Sequence, residues 1–223
     1  MKASFKQQIS PSILSADFTV LAEQIDSVVE SGCEVLHLDV MDGQYVPNIS
    51  FGPMVVKAVR RATDITLESH LMIAEPDKYL EAFANAGSDI ILVHPSTCPS
   101  VDTTLDEIHK LGVKAGLVIN PDEKLTDVLP YLERMDQILI MSVFPGFGGQ
   151  EFIPEVLSNL PELLPVFAEN DVLIEIDGGI NAATLPSVVD KGIHRFVAGS
   201  AVFNQKASPS ENYTQLANQL VQG

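Results

Sequence analysis

Short apolar runs alternate with longer amphipathic stretches along this chain, regularly enough to predict its elements. Eight runs read as β-strands: residues 10–14 (SPSIL), 35–40 (VLHLDV), 66–71 (TLESHL), 90–94 (IILVH), 114–119 (KAGLVI), 137–143 (QILIMSV), 173–177 (LIEID) and 195–199 (RFVAG). Helical patterns fill the intervals at 17–32, 53–62, 76–87, 101–112, 124–135, 154–170 and 181–192, and a last one covers 210–222. Gly32, Gly87, Gly112 and Gly192 stand where helix C-caps belong, and Pro76 suits a first helical turn. Eight strands, each followed by a helix, predict an α/β architecture, a (β/α)8 TIM barrel forming a single domain over residues 1–223. A doubly wound open sheet is the alternative, but it usually stops at fewer strands.

One predicted strand breaks the apolar rule. In LHLDVMDG (36–43), Leu36, Leu38 and Val40 alternate with His37 and Asp39, so a base and an acid share one strand face. A core accepts such groups when they are paired or bind a metal. The barrel fold carries its chemistry at the C-terminal ends of the strands. His37 and Asp39 close the second strand there, His70 the third and Asp177 the seventh. Two imidazoles and two carboxylates form a mixed N/O set suited to one divalent ion, Zn²⁺, Fe²⁺, Mn²⁺ or Co²⁺. Any one of them alone reads equally well as a satisfied buried polar residue; four at matching strand ends favour the metal. His94, ending the fourth strand, reads as support for that set or, more simply, as a hydrogen-bonded core histidine. Asp42 suits the turn after the second strand, and His109 and His194 fall away from the rim.

Small residues mark three neighbouring loops: PGFGGQ (145–150), DGGI (177–180) and AGSA (198–201). Together they predict a phosphate cradle, since loops after the last strands of such barrels recurrently hold phosphate. These three segments contain no Lys or Arg, so the anion is expected to rest on backbone N–H groups. Met41, Met72 and Met141 fall at one level near the ends of strands two, three and six. They read either as flexible core filler or as a water-excluding collar around reacting atoms.

Composition narrows the partners. The chain has 223 residues, 46% hydrophobic and 19% charged, and a formal net charge of −17, which argues against nucleic acid and anionic membranes. No apolar run is long enough to span a bilayer, and the first residues lack the pattern of a secretory signal. Cys33 and Cys98 follow no zinc or redox spacing, which suits two free thiols in the cytoplasm. Apolar helix surfaces on an acidic chain suit a homo-oligomer. A divalent ion held by such a set can grip a ketone and a neighbouring hydroxyl and stabilise the negative charge of an enediolate, while carboxylates on opposite sides act as base and acid. Asp39 and Asp177 come from strands far apart around the ring, which suits inversion of a carbon centre by two bases.

The segments SPSILSADF, LHLDVMDGQYVPNISFGP, HLMI, PDKYLEAFANAGSD, PGFGGQEFIPEVL, EIDGGIN and VAGSAVF closely resemble the ribulose-phosphate 3-epimerase family, in order, from about Ser10 to Phe203. The resemblance implies a TIM barrel that interconverts ribulose 5-phosphate and xylulose 5-phosphate through a cis-enediolate. It implies His37, Asp39, His70 and Asp177 as ligands of one divalent metal, with Asp39 accepting and Asp177 donating the proton in one direction. Ser12 and His70 match substrate contacts of the family, and Gly146, Phe147, Gly148, Gly149, Gly178, Gly179, Gly199 and Ser200 match its phosphate loops. Met41, Met72 and Met141 match its shielding methionines, and dimers and hexamers are the assemblies it implies. Four positions depart from the commoner pattern: Gln44 for His, Glu68 for Asp, Ser96 for Glu, and Phe144 for Asn, Asp or Glu.

The nearest alternative is a D-allulose 6-phosphate 3-epimerase, which commonly lacks SILSAD and the GFGG and DGG glycines. A phosphate-barrel decarboxylase needs a lysine between two aspartates, and the matching segment Asp39-Val40-Met41-Asp42 has none. A non-catalytic phosphosugar-binding barrel is expected to lose one of the two aspartates, and both are present.

Overall fold

The computed structural model describes residues 5–220. Its centre is an eight-stranded parallel sheet of β1 (Gln8–Pro11), β2 (Val35–Met41), β3 (Thr66–Met72), β4 (Ile90–Val93), β5 (Lys114–Ile119), β6 (Gln137–Met141), β7 (Leu173–Asp177) and β8 (Arg195–Ala198). The strands run in the order β1-β8-β7-β6-β5-β4-β3-β2, and a parallel bridge between Ser12 and His37 joins the two ends. The expected TIM barrel is the observed fold. Around it lie α1 (Leu21–Glu30), α2 (Pro53–Ala62), α3 (Leu80–Ala86), α4 (Val101–Lys110), α5 (Leu160–Glu169) and α6 (Pro209–Ala217), with several 3₁₀ turns.

Both faces of a parallel barrel strand are covered, so all seven residues of β2 are buried. Period-two alternation sorts them. Leu36, Leu38 and Val40 join the outer apolar layer between sheet and helices, along with Phe83, Phe167 and Phe196. His37, Asp39 and Met41 therefore point the other way, into the barrel. Inside, Ile90, Leu92, Val118, Leu139, Met141, Val143 and Val197 form a second, smaller apolar cluster. Register lines up the remaining inward groups rung by rung. His37 stands opposite Glu68, Asp39 opposite His70 and Met41 opposite Met72 across β2 and β3, while Met141 stands opposite Asp177 across β6 and β7.

Several expected boundaries move. The first strand lies at Gln8–Pro11, and Ile13–Ser15 turns as a 3₁₀ helix capped by the Ser12 side chain. The 17–32 and 76–87 patterns each begin as a 3₁₀ turn before α1 and α3. The 154–170 pattern splits into a 3₁₀ turn at Pro154–Leu157 and α5. Residues Leu125–Arg134 form a 3₁₀ helix with Pro130 inside it, and in the 181–192 stretch only Leu185–Ser187 is helical, again as 3₁₀. Proline removes an N–H donor and crowds the preceding turn, which favours the tighter helix. The last helix ends at Ala217, and residues 221–222 of its expected span lie outside the described residues. All four expected C-cap glycines have positive φ, from +77° at Gly112 to +109° at Gly87. Among the described residues, no helix is long and apolar enough to cross a membrane.

Candidate active site

Side chains at the C-terminal ends of β2, β3 and β7 converge at the top of the barrel. His37, Asp39, His70 and Asp177 each direct a ligand atom into one space, and these atoms all lie within 4.8 Å of one another. Asp39 Oδ1 is 3.2 Å from His37 Nε2 and 3.3 Å from His70 Nδ1, and Asp177 Oδ2 is 3.9 Å from His37 Nε2. Ser12, at the barrel seam, donates its hydroxyl to the other Asp39 oxygen. Both imidazoles are fully buried, whereas Asp39 and Asp177 border an open cavity of about 550 Å³. Two imidazole nitrogens and two carboxylate oxygens this close together are the donor set of a first-row divalent metal, so the cluster could hold one.

The imidazoles are held from behind. His37 Nδ1 donates to Glu68 Oε1 at 2.8 Å, which leaves Nε2 facing the cluster. His70 Nε2 lies 2.9 Å from Nε2 of His94, whose ring stacks on it with centroids 5.1 Å apart. For His70 to present a bare Nδ1, its Nε2 must carry the proton and donate it to His94. Tyr45 packs against His94 with ring centroids 4.7 Å apart, and Asn120 Nδ2 donates to the Tyr45 hydroxyl at 2.8 Å.

Without a cation, the cluster divides its charge unequally. Burial opposes ionisation of Asp39, but His37 and His70 outweigh it and hold that carboxyl well below its ordinary range. Burial would likewise favour neutral His37, yet the charge and hydrogen bonds of Asp39 and Glu68 raise it well above 6.5. Asp177 goes the opposite way from Asp39. Burial, reinforced by the charge of Asp39, pushes it up to about 7. Burial and the neighbouring His37 lower His70, and burial followed by His70 takes His94 well below its usual value.

Above this floor, Met41, Met72 and Met141 line the cavity wall. Met41 and Met72 pack with Val46, and Met141 belongs to the apolar cluster inside the barrel. Gly146, Phe147, Gly148, Gly149, Gly178, Gly179, Gly199 and Ser200 border the same cavity. The β6 loop is tied down by Gln150 Nε2, which donates to the carbonyls of Phe144 at 2.7 Å and Phe147 at 2.8 Å, and by Asn48 Nδ2, which donates to Gly146 O at 2.8 Å. Of the site residues expected from the sequence, all but His37 and His70 line this cavity; those two imidazoles are buried against Asp39 at its floor.

A family model described as "Ribulose-phosphate 3 epimerase family" matches residues 8–203. The ribulose-phosphate 3-epimerase of Bacillus subtilis is 47% identical over 201 residues, covering 89% of this chain and 93% of that protein. The Synechocystis ribulose-phosphate 3-epimerase is 52% identical over 201 residues, covering 88% of this chain and 87% of its own. This chain belongs to the ribulose-phosphate 3-epimerase family. Among solved structures, 3-hexulose-6-phosphate synthase from Salmonella typhimurium superposes with a TM-score of 0.71 at 15% identity, covering 96% of this chain and 98% of that one. A 3-keto-L-gulonate-6-phosphate decarboxylase from Vibrio cholerae gives 0.69 at 15% identity, covering 96% and 97%. At that identity the likeness is one of fold.

Two features of the site go beyond the expectations, and one reading is decided. Lys206, from the loop after β8, lines the cavity, so the glycine loops are not without a nearby cation. It lies five residues past the AGSA segment, outside the three small-residue loops. His94, read from the sequence either as support for the ligand set or as a core histidine, is in direct contact with the candidate ligand His70, and its Nδ1 is buried without a hydrogen-bond partner. Glu68, first noted only as a departure, is the acceptor for His37. Asp42 does organise its turn, accepting from the backbone N–H groups of Gln44, Tyr45 and Ala74 at 2.8–2.9 Å. His109 and His194 are engaged elsewhere, by Asp136 and the Ile174 amide.

The β6 and β7 loops approach so closely that a side chain at Gly178 has no room. A Cβ there would sit 2.7 Å from Val143 Cγ2 and 2.8 Å from its backbone nitrogen, at φ +123°. Gly149, at φ +76°, has nothing within 4 Å of a built Cβ. Gly149→Ala should therefore lose only the backbone preference, about 1–2 kcal/mol, and Gly178→Ala distinctly more. Denaturant unfolding of the two variants side by side reads the difference.

Proposed function

We propose that this chain catalyses the reversible C3 epimerisation of D-ribulose 5-phosphate to D-xylulose 5-phosphate, as an isomerase of pentose phosphate metabolism. The observation that carries this reading is the placement of Asp39 and Asp177. They reach one cluster from strands separated by β8 and β1, at the floor of a cavity rimmed by three glycine loops. A ketose phosphate lying across that floor would meet one carboxylate on each face of C3. Asp39 removes the proton from one face, and Asp177 returns one to the other. The reverse reaction exchanges their roles. Met41, Met72 and Met141 keep bulk water from the stripped carbon, and Ser12 orients Asp39 through its hydroxyl.

His37, Asp39, His70 and Asp177 would hold one divalent ion, Zn²⁺, Fe²⁺, Mn²⁺ or Co²⁺, in each subunit. Bound there, the ion supplies the positive charge that stabilises the substrate oxygens as C3 loses its proton. The glycine-rich loops receive the phosphate, with Phe147 and Ser200 at the rim and the Lys206 ammonium within the cavity's reach. Two free cysteines suit a cytoplasmic setting. The exposed Phe18, Met54 and Tyr79 side chains suit a homo-oligomer, a dimer or a hexamer.

Replacing Asp177 by Asn keeps the shape and removes the proton donor. Turnover of ribulose 5-phosphate should fall by about 10²–10⁴-fold, with metal content checked in the same sample; full turnover with metal present would sink the two-base scheme. Assaying D-allulose 6-phosphate alongside reads the substrate, and a higher kcat/KM for that hexose would replace the pentose. Lys206→Ala should raise KM by roughly two- to fivefold, the effect of about 0.5–1 kcal/mol for an exposed charge contact, and leave kcat unchanged. The difference should shrink with added salt.

Metal uptake should also release a proton, because a ligating His must be neutral. Despite its burial, His37 is raised well above 6.5 in the metal-free protein, chiefly by Asp39 and Glu68, so near neutral pH it holds a proton that the ion displaces. Release therefore persists through neutral pH and declines only as pH rises through the raised His37 value. Calorimetric titration in buffers of different ionisation enthalpy measures it, and uptake without proton release would contradict the ligand assignment.

A further inference from the structure

Directly beneath the ligand cluster, the barrel interior holds four polar side chains that the proposed reaction does not use. Glu68 on β3, Gln137 on β6, Glu175 on β7 and Arg195 on β8 all point inward. Glu68 and Glu175 are fully buried, Gln137 nearly so, and the Arg195 side chain is 11% exposed. They form one network. Arg195 Nη1 donates to Glu68 Oε2 at 3.0 Å and to Gln137 Oε1 at 3.0 Å. Gln137 Nε2 donates in turn to Glu68 Oε2 and Glu175 Oε2. Glu68 thus splits its carboxylate, with Oε2 tied to Arg195 and Gln137 and Oε1 receiving the His37 Nδ1 proton at 2.8 Å.

We propose that Arg195, acting through Glu68, is a positioning residue that orients His37 toward the ligand cluster. The inference rests on the metal reading of that cluster. Glu68 carries no backbone restraint on its carboxylate plane; Arg195 and Gln137 fix it from the side opposite His37. With the carboxylate fixed, the His37 proton stays on Nδ1 and the bare Nε2 stays turned toward Asp39, His70 and Asp177. A buried ion pair is weak grounds for stability, since well-packed apolar side chains serve as well or better. The same barrel shows that alternative: Ile90, Leu92, Val118, Leu139 and Val197 fill another part of its interior without a charge. Here the charged side chains continue from a ligand's far nitrogen: Glu68 touches His37 Nδ1, and Arg195 touches Glu68. Arg195 also accounts for the glutamate at position 68, because a longer acid needs a second anchor to hold its plane.

The test is calorimetric titration of metal-free protein with Zn²⁺. Glu68→Gln should bind Zn²⁺ about 10- to 100-fold more weakly and Arg195→Met roughly tenfold more weakly, with Arg195→Lys restoring part of the loss. A folded Arg195→Met with wild-type affinity overturns the inference. Should Arg195→Met fail to fold, nitrogen NMR of the wild-type protein decides. The Arg195 guanidinium resonances must shift on zinc loading and the His37 proton must reside on Nδ1; unchanged guanidinium signals or a bare Nδ1 overturn it. If the wild-type chain takes up no Zn²⁺, Mn²⁺, Fe²⁺ or Co²⁺ at all, the metal reading fails instead.

Discussion

A carboxylate as deeply set as Asp39 persists in ionised form only where other groups replace the water it has lost. In this barrel two imidazoles reach one of its oxygens and the Ser12 hydroxyl reaches the other. That demand dictates much of what surrounds it. His37 can serve Asp39 only if its far nitrogen is satisfied, which brings in Glu68; His70 can serve only if its own far nitrogen is satisfied, which brings in His94. Each added polar group is buried in turn and needs its own partner, so the network runs on to Arg195, Gln137 and Glu175. The burial of one acid thereby recruits side chains from seven of the eight strands or their ends.

Parallel register makes this recruitment possible. Because β2 and β3 pair residue for residue, His37 lies beside Glu68 and Asp39 beside His70 without any special loop. The same strands present leucines and valines outward to the helices, so the acid cluster is bought at no loss of the outer apolar layer. Asp177 differs from Asp39 although both close a strand in the same cluster. It lacks imidazoles at the shorter distances, stands near a carboxylate already ionised, and so keeps its proton to higher pH. In the metal-free protein, two identical side chains thus acquire opposite tendencies from their neighbours.

The upper part of this arrangement was legible in the sequence because period-two alternation and the ends of strands are both visible there. His37, Asp39, His70 and Asp177 stand at strand ends and in the inward phase, and the glycine loops follow strands directly. Glu68, Glu175 and Arg195 were in equally plain sight, each two residues before an inward neighbour at His70, Asp177 or Val197. Continuing the same phase one rung down would have found them, but a charged letter low in a strand offers no clue to its partner on another strand. Arg195 and Glu68 meet across 127 residues, from strands far apart in the sheet order that the curling of the barrel brings face to face. The 181–192 stretch failed for a local reason: around Pro186 a three-residue 3₁₀ turn and an α-helix show the same sparse apolar spacing.

The interior of the barrel is therefore divided by chemistry. One part is filled by aliphatic side chains from β4, β5, β6 and β8, and the other carries ionisable groups from β2, β3, β7 and β8. An entirely apolar interior would pack more simply but would leave Asp39 without partners. An entirely polar one would admit water and raise the local dielectric, weakening every charge interaction on which the difference between Asp39 and Asp177 depends. The aliphatic part packs the interior without charge, and the polar part keeps the site ordered. A proton held at one face of a substrate and withheld at the other needs both.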